Sequence, residues 1–310
     1  MDVIGRRRAL AGTSVAAFLV AACGQAGAGG ASGGAAKPSI KMGSTNFGEQ
    51  LIVAELYAQV LEANGYKIER KLNLGNREIV APALESGQID MYPEYLATYL
   101  TFVTKDATKA SSDPAATAKT LQEALKPKNI TVLDYAPAVD VNGFCVTKAT
   151  ADKYKLSKLS DLAPVAGQLV LGAAAECPTR PFCMIGLEKT YTIKFKDFKP
   201  LDSGGPLTVA ALEQNQIDVA LLFSTDAVIS AKGFVLLQDD KHLQLADNIA
   251  PVVRTEIVTK APADFKTLIN GVSAKLTTEE MTAMNKKSGV DKQDPKDVAA
   301  QWLKSKSLLK

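Results

Sequence analysis

The stretch "ALESGQIDMYPEYLAT" (83–98) returns as "ALEQNQIDVALLFSTD" (211–226), 128 residues later (211 against 83). The copies share Ala-Leu-Glu, two variable residues and Gln-Ile-Asp. Each reads as a helix end, a tight turn and a strand that opens into a loop. Two copies at that distance suggest two similar α/β lobes rather than a short-period solenoid. In open α/β sheets, ligands sit beyond the carboxyl ends of the strands. The alignment gives Tyr95 and Phe223 equivalent strand-end positions, one per lobe, where they would wall a cleft. Taken alone, the repeat equally suits a common helix–strand junction with both aromatics in the core.

The pattern around the repeat is strand–helix alternation. "SIKMGS" (39–44) reads as a strand, 48–65 as a helix with Gly65 as its stop, and "YKIERKLNL" as a strand. "REIVAPALESG" reads as a helix and "QIDMYPEY" as a strand. The alternation resumes with a strand over 168–175, a helix near 181–191, the helix "LTVAALEQN" and the strand "QIDVALLFSTD". Such alternation predicts an α/β fold with parallel sheets. "PVVRTEIV" reads as one more strand, followed by helices over 262–272, 277–289 and 295–308, the last carrying the packing residue Trp302. A return strand with terminal helices suits a chain that finishes where it began. The expected lobes are therefore 38–139 with 251–310, and 140–250.

The N-terminus bears on compartment. Arg6 to Arg8 precede an apolar run to about Ala22, the layout of an export signal over 1–22. "VAAC" (20–23) resembles the lipobox of bacterial lipoproteins, which implies lipidation of Cys23 and attachment to the outer face of the cytoplasmic membrane or a periplasmic location. Gly24 to Lys37 is Gly/Ala/Ser-rich, so 23–37 reads as a flexible tether. Export makes an oxidised state of Cys177 and Cys183 the expectation, as a disulfide. A zinc site would need more ligands, and the chain has one histidine, His242. A thioredoxin-like centre wants two residues between its cysteines, and here there are five. Cys145 reads as a buried small residue.

Enzyme chemistry finds little support: His242 lies in the acidic turn "QDDKHLQL", and no phosphate-binding or dinucleotide motif is present. No catalytic residue, metal or cofactor is expected. The formal charge of +3 is spread without a basic patch, so no nucleic-acid partner is expected either. Recognition chemistry is better represented. "MYPEYLATY" gathers Tyr92, Tyr95 and Tyr99, and tyrosine faces attract cations, quaternary ammonium groups above all. Tyr99 reads as core. Arg180, held inside "ECPTRPFC", offers a two-pronged donor for a carboxylate.

At "GSTNFGEQ", "LNLGNREIVAPALESGQIDMYPEYLATY", "ECPTRPFC" and "LLFSTD" the chain resembles the substrate-binding lipoproteins of ABC importers for glycine betaine, choline and carnitine. The resemblance covers about Ile40 to Arg254. It implies a two-lobed, type II periplasmic-binding-protein (Venus flytrap) fold that closes on a solute and delivers it to a permease and its ATPase, working as a monomer. It also implies ligand-binding roles. Thr45 stands where the family has a carboxylate-contacting lysine. Tyr95 and Thr98 match the family's "YPEYTGT". Asp140 precedes Asn142, which replaces a cage aromatic. Arg180 matches the carboxylate arginine, Phe223 and Thr225 match "(F/Y)STD", and Thr208 lies where relatives carry another aromatic. With Thr45 and Asn142 in place of a charge and an aromatic face, the expected cage is thinned. Two alternatives stay open: a sensory module on the same fold, or a solute outside the betaine class.

Overall fold

Gln-Ile-Asp serves one structural purpose in both copies. The Asp90 carboxylate accepts the Lys41 backbone N–H at 2.8 Å, and that of Asp218 accepts the Val170 N–H at 2.8 Å. Each carboxylate ties the start of its strand to a neighbouring strand. The turn before it is left-handed in both copies, with φ of 75° at Gly87 and 55° at Asn215. Glycine and asparagine are the residues that tolerate this conformation best. The repeat is therefore one helix–turn–strand unit built twice.

The computed structural model describes residues 37–309. The expected signal over 1–22, Cys23 and the tether up to residue 36 lie outside the described residues. Ten strands are found among the described residues: β1 Ser39–Gly43, β2 Lys67–Lys71, β3 Met91–Tyr95, β4 Ile130–Val132, β5 Asn142–Val146, β6 Val170–Ala174, β7 Asp197–Leu201, β8 Val219–Phe223, β9 Val235–Leu236 and β10 Ile249–Arg254. They form two five-stranded sheets, in the orders β2-β1-β3-β10-β4 and β7-β6-β8-β5-β9. The orders correspond strand for strand, with the repeated β3 and β8 at the centre of each.

The sheets are mixed rather than purely parallel. In the first, β10 runs antiparallel to β3 and β4; in the second, β5 runs antiparallel to β8 and β9. The cause is the crossing of the chain. Strand β5 enters the second lobe from the first, and β10 returns, so each arrives from the opposite side. The two connections, 133–141 and 237–248, touch at an antiparallel bridge between Val139 and Asn248, and Asp140 N–H donates to the Asp247 carbonyl at 3.1 Å. Trp302 is buried as expected, its indole N–H donating to Glu280 at 2.7 Å. Tyr99 is fully buried with Tyr92, in an apolar cluster that continues into the second lobe through Phe144, Leu171 and Leu187.

Candidate functional site

A cleft of about 910 Å³ takes its lining from both lobes. Of the residues expected at a ligand site, Thr45, Tyr95 and Thr98 line it from the first lobe. Asn142, Arg180 and Phe223 line it from the second, and Asp140 from the connection between them. Asn142 and Phe223 are direct register partners on β5 and β8, which explains their meeting at one sheet end. The Asn142 amide is tied down by donating to the Phe182 carbonyl at 2.9 Å.

Phe47 is the aromatic that the sequence reading passed over. It sits just before the helix Gly48–Ala63. Its ring stacks on Phe223 at 4.8 Å between centroids and faces Tyr95 at 6.1 Å. Tyr95 and Phe223 thus become the two ends of one aromatic wall that crosses from lobe to lobe, with Phe47 joining them. The signal was present in "GSTNFGEQ": an aromatic in the loop after β1, at a strand's carboxyl end.

Behind the wall lies a carboxyl pair. Glu49 is 4% exposed and accepts three donors: the Tyr95 hydroxyl at 2.7 Å, the Thr225 hydroxyl at 2.6 Å and the Asn285 amide at 2.8 Å. Asp140, also 4% exposed, accepts from the Ser224 hydroxyl and the Thr225 N–H, both at 3.0 Å. Burial raises the pKa of both, and the Glu49 charge raises that of Asp140 further. Neither forms an ion pair with lysine or arginine among the described residues. Of the two only Asp140 lines the cleft, so it is the carboxyl that a ligand cation can approach, and it attracts one when ionised.

Arg180 is held by its neighbours on both sides. Cys177 and Cys183 form a disulfide with Cα atoms 5.3 Å apart. Arg180 N–H donates to the Cys177 carbonyl, and its own carbonyl accepts from Cys183 N–H, each at 3.1 Å. The guanidinium Nη2 donates to Glu78 at 2.8 Å and lies 3.6 Å from Glu176. Burial, then the charge of Arg77, lowers its pKa, while Glu78 and Glu176 act against that shift. Four buried polar atoms of cleft residues have no hydrogen-bond partner: Thr45 Oγ1, Asn76 Oδ1, Thr101 Oγ1 and Arg180 Nε. A buried polar atom left unpaired is costly, and in a cleft it is a place for a ligand atom.

Three expected ligand residues lie outside the cleft lining. Tyr92 is fully buried, its hydroxyl donating to Glu94 at 2.9 Å, because the strand pleat turns it away from the face of Tyr95. Thr208 is fully buried, its hydroxyl engaged by Asp202 at 2.7 Å near the start of the helix Pro206–Glu213. Thr225 is fully buried as a donor to Glu49, so it supports the wall from behind. Thr98 does line the cleft, but its hydroxyl already accepts from Arg77, which is locked to Glu94 by two bonds of 2.7 Å.

A cleft between two α/β lobes, an aromatic wall and a presented arginine describe a solute-binding protein. Residues 38–305 match the family model described as the substrate binding domain of an ABC-type glycine betaine transport system. The chain belongs to this family. It is 30% identical over 281 residues to the carnitine transport binding protein OpuCC of Listeria monocytogenes, covering 89% of this chain and 90% of that one. It is 30% identical over 286 residues to the glycine betaine-binding protein YehZ of Escherichia coli, covering 89% and 93%. A crystal structure of a glycine betaine/carnitine/choline ABC transporter protein shares its fold at a TM-score of 0.68, with 29% identity over 87% of this chain and 99% of that one. As a member of this family, the protein is a substrate-binding component of an ABC transporter and not an enzyme.

Proposed function

We propose that the protein is exported, anchored through a lipid on Cys23, and captures a small quaternary-ammonium zwitterion of the betaine class for delivery to an ABC permease. One observation carries the ligand class. The wall of Phe47, Tyr95 and Phe223 is backed by Glu49 and Asp140, which have no cationic partner, and Arg180 stands in the same cleft. Aromatic faces and carboxylates attract a cation that cannot donate hydrogen bonds, and a guanidinium attracts a carboxylate. The relatives named for carnitine and glycine betaine support the reading. Phe47 offsets the aromatic missing at Asn142, so a betaine-class solute fits better than the loop sequences suggested. The proposed lobes are 38–139 with 251–310, and 140–250, a division supported by the two separate sheets.

Calorimetric titration tests this reading. Glycine betaine or carnitine should bind, and tert-butylacetate, which has the shape of glycine betaine without its positive charge, should not. Equal affinity for glycine betaine and for this copy without the ammonium charge would overturn the assignment. Labelled fatty acid incorporated by the wild type and not by Cys23→Ala checks the anchor.

A further inference from the structure

Two arginines of this chain show how its guanidinium groups hold a carboxylate. Arg77 grips Glu94 with Nε and Nη2, both at 2.7 Å, and Arg70 grips Glu55 with Nε at 2.7 Å and Nη2 at 3.0 Å. This side-on, two-bond geometry is the strong form of the pair. Arg180 is different. Its Nη2 is taken by Glu78 at 2.8 Å, while its buried Nε has no partner. Nη2 is engaged by an acidic partner while Nε stands open, in a residue that lines the cleft.

Glu78 also lines the cleft, but from the other lobe. It sits in the first turn of the helix Arg77–Glu85, which follows β2 in the first sheet's lobe, whereas Arg180 follows β6 in the second. The side chains are 41% and 24% exposed, so the pair is solvated enough to be exchanged at modest cost. A displaced Glu78 keeps a favourable place, since an acidic side chain is stabilised in the first turn of a helix.

We infer that Glu78 is an internal stand-in for the carboxylate of the solute and sets the preference between carboxylate-bearing and carboxylate-free quaternary amines. In the empty protein it holds Arg180 Nη2 across the cleft. A ligand carboxylate gains the open Nε outright, but at Nη2 it must share the nitrogen with Glu78, as Glu55 and Glu62 share that of Arg70, or displace it, and in either case it meets the Glu78 negative charge. A quaternary amine without a carboxylate leaves the Glu78–Arg180 pair in place and keeps its bridge between the lobes. Glu176, 3.6 Å from the same nitrogen, is on the arginine's own loop and makes no bridge. The inference rests on the betaine-class reading and adds a selectivity residue to it.

The test is the ratio of dissociation constants for choline and glycine betaine, measured by calorimetry in the wild type and in Glu78→Gln. The Glu78–Arg180 pair stands in both the empty protein and the choline complex, so its loss leaves choline affinity nearly unchanged. Freeing Nη2 helps only the ligand with a carboxylate. The ratio should move toward glycine betaine by about two- to five-fold, the order expected for releasing one part-exposed ion pair. An unchanged or reversed ratio, with both ligands still bound, overturns the role of Glu78 and leaves the betaine reading intact. A wild type that binds neither ligand overturns the betaine reading, and the inference with it.

Discussion

Tyr92 and Tyr95 are three positions apart on one strand, and the pleat sends them to opposite faces. Tyr95 joins the aromatic wall, while Tyr92 donates to Glu94 inside the core. Tyr95→Ala should therefore weaken a quaternary-ammonium ligand by about ten-fold or more, since one cation–π face is removed together with the Glu49 donor. Tyr92→Phe should leave affinity unchanged and lower stability by about 1 kcal/mol for its lost hydrogen bond. Titration and thermal melting of the two variants check both halves, and a large loss of affinity in Tyr92→Phe would place it in the site after all. The repeat exposed Tyr95 and Phe223 because equivalent strand ends are visible as text. Tyr92 was misplaced because counting aromatics ignores the two-residue period. Phe47 was legible as an aromatic at the carboxyl end of β1, whereas Glu49 escaped because its role exists only when β3, β8 and the start of the first long helix converge, and no local pattern encodes that convergence.

At the scale of elements, the loop 177–183 is the clearest case of local covalent chemistry placing a functional group. The disulfide closes a ring with a sequence separation of only 6, and so short a loop restrains the unfolded chain little. Its effect is on Arg180, bonded through its N–H and its carbonyl to the two cysteines. Cys177→Ser with Cys183→Ser should weaken a carboxylate-bearing ligand more than it lowers the melting temperature, with choline less affected. A fall in melting temperature with unchanged affinity would show that the staple serves folding alone. This element was legible from spacing and compartment. "PVVRTEIV" was not: its β-branched residues favour a strand, yet β10 ends at Arg254 and a helix, Thr255–Lys260, begins. Arg254 pairs with Asp90 at 3.2 Å and Thr255 N–H donates to the Asn129 carbonyl at 2.8 Å. These long-range partners turn the chain, and a propensity scale does not contain them.

For the whole molecule, the junction of the lobes is a store of carboxyl groups. Glu49 comes from the first lobe, Asp140 and Asp247 from the two connections, and Asp226 from the end of β8. Burial raises all four, Asp226 and Asp247 to about 7. Asp226 accepts the Phe223 N–H at 2.9 Å, and Asp247 accepts the Thr98 N–H at 2.8 Å, so both support residues of the cleft. A carboxyl with a raised folded-state pKa holds more protons folded than unfolded, so its contribution to stability is complete below the unfolded value near 4. That contribution falls as pH climbs toward about 7, where Asp226 and Asp247 ionise in place. The ligand-free protein should melt higher at pH 5 than at pH 8, and Asp247→Asn should flatten that slope by removing one of the titrating groups. Stability that instead rises steadily from pH 5 to pH 8 would mean these carboxyls are ionised and compensated throughout. A solute with an ammonium end acts in the opposite sense, because Asp247, which lines the cleft, holds it more strongly when ionised. The rise in melting temperature on adding glycine betaine should then be larger at pH 8 than at pH 5, which links the lobe junction to the ligand it closes on.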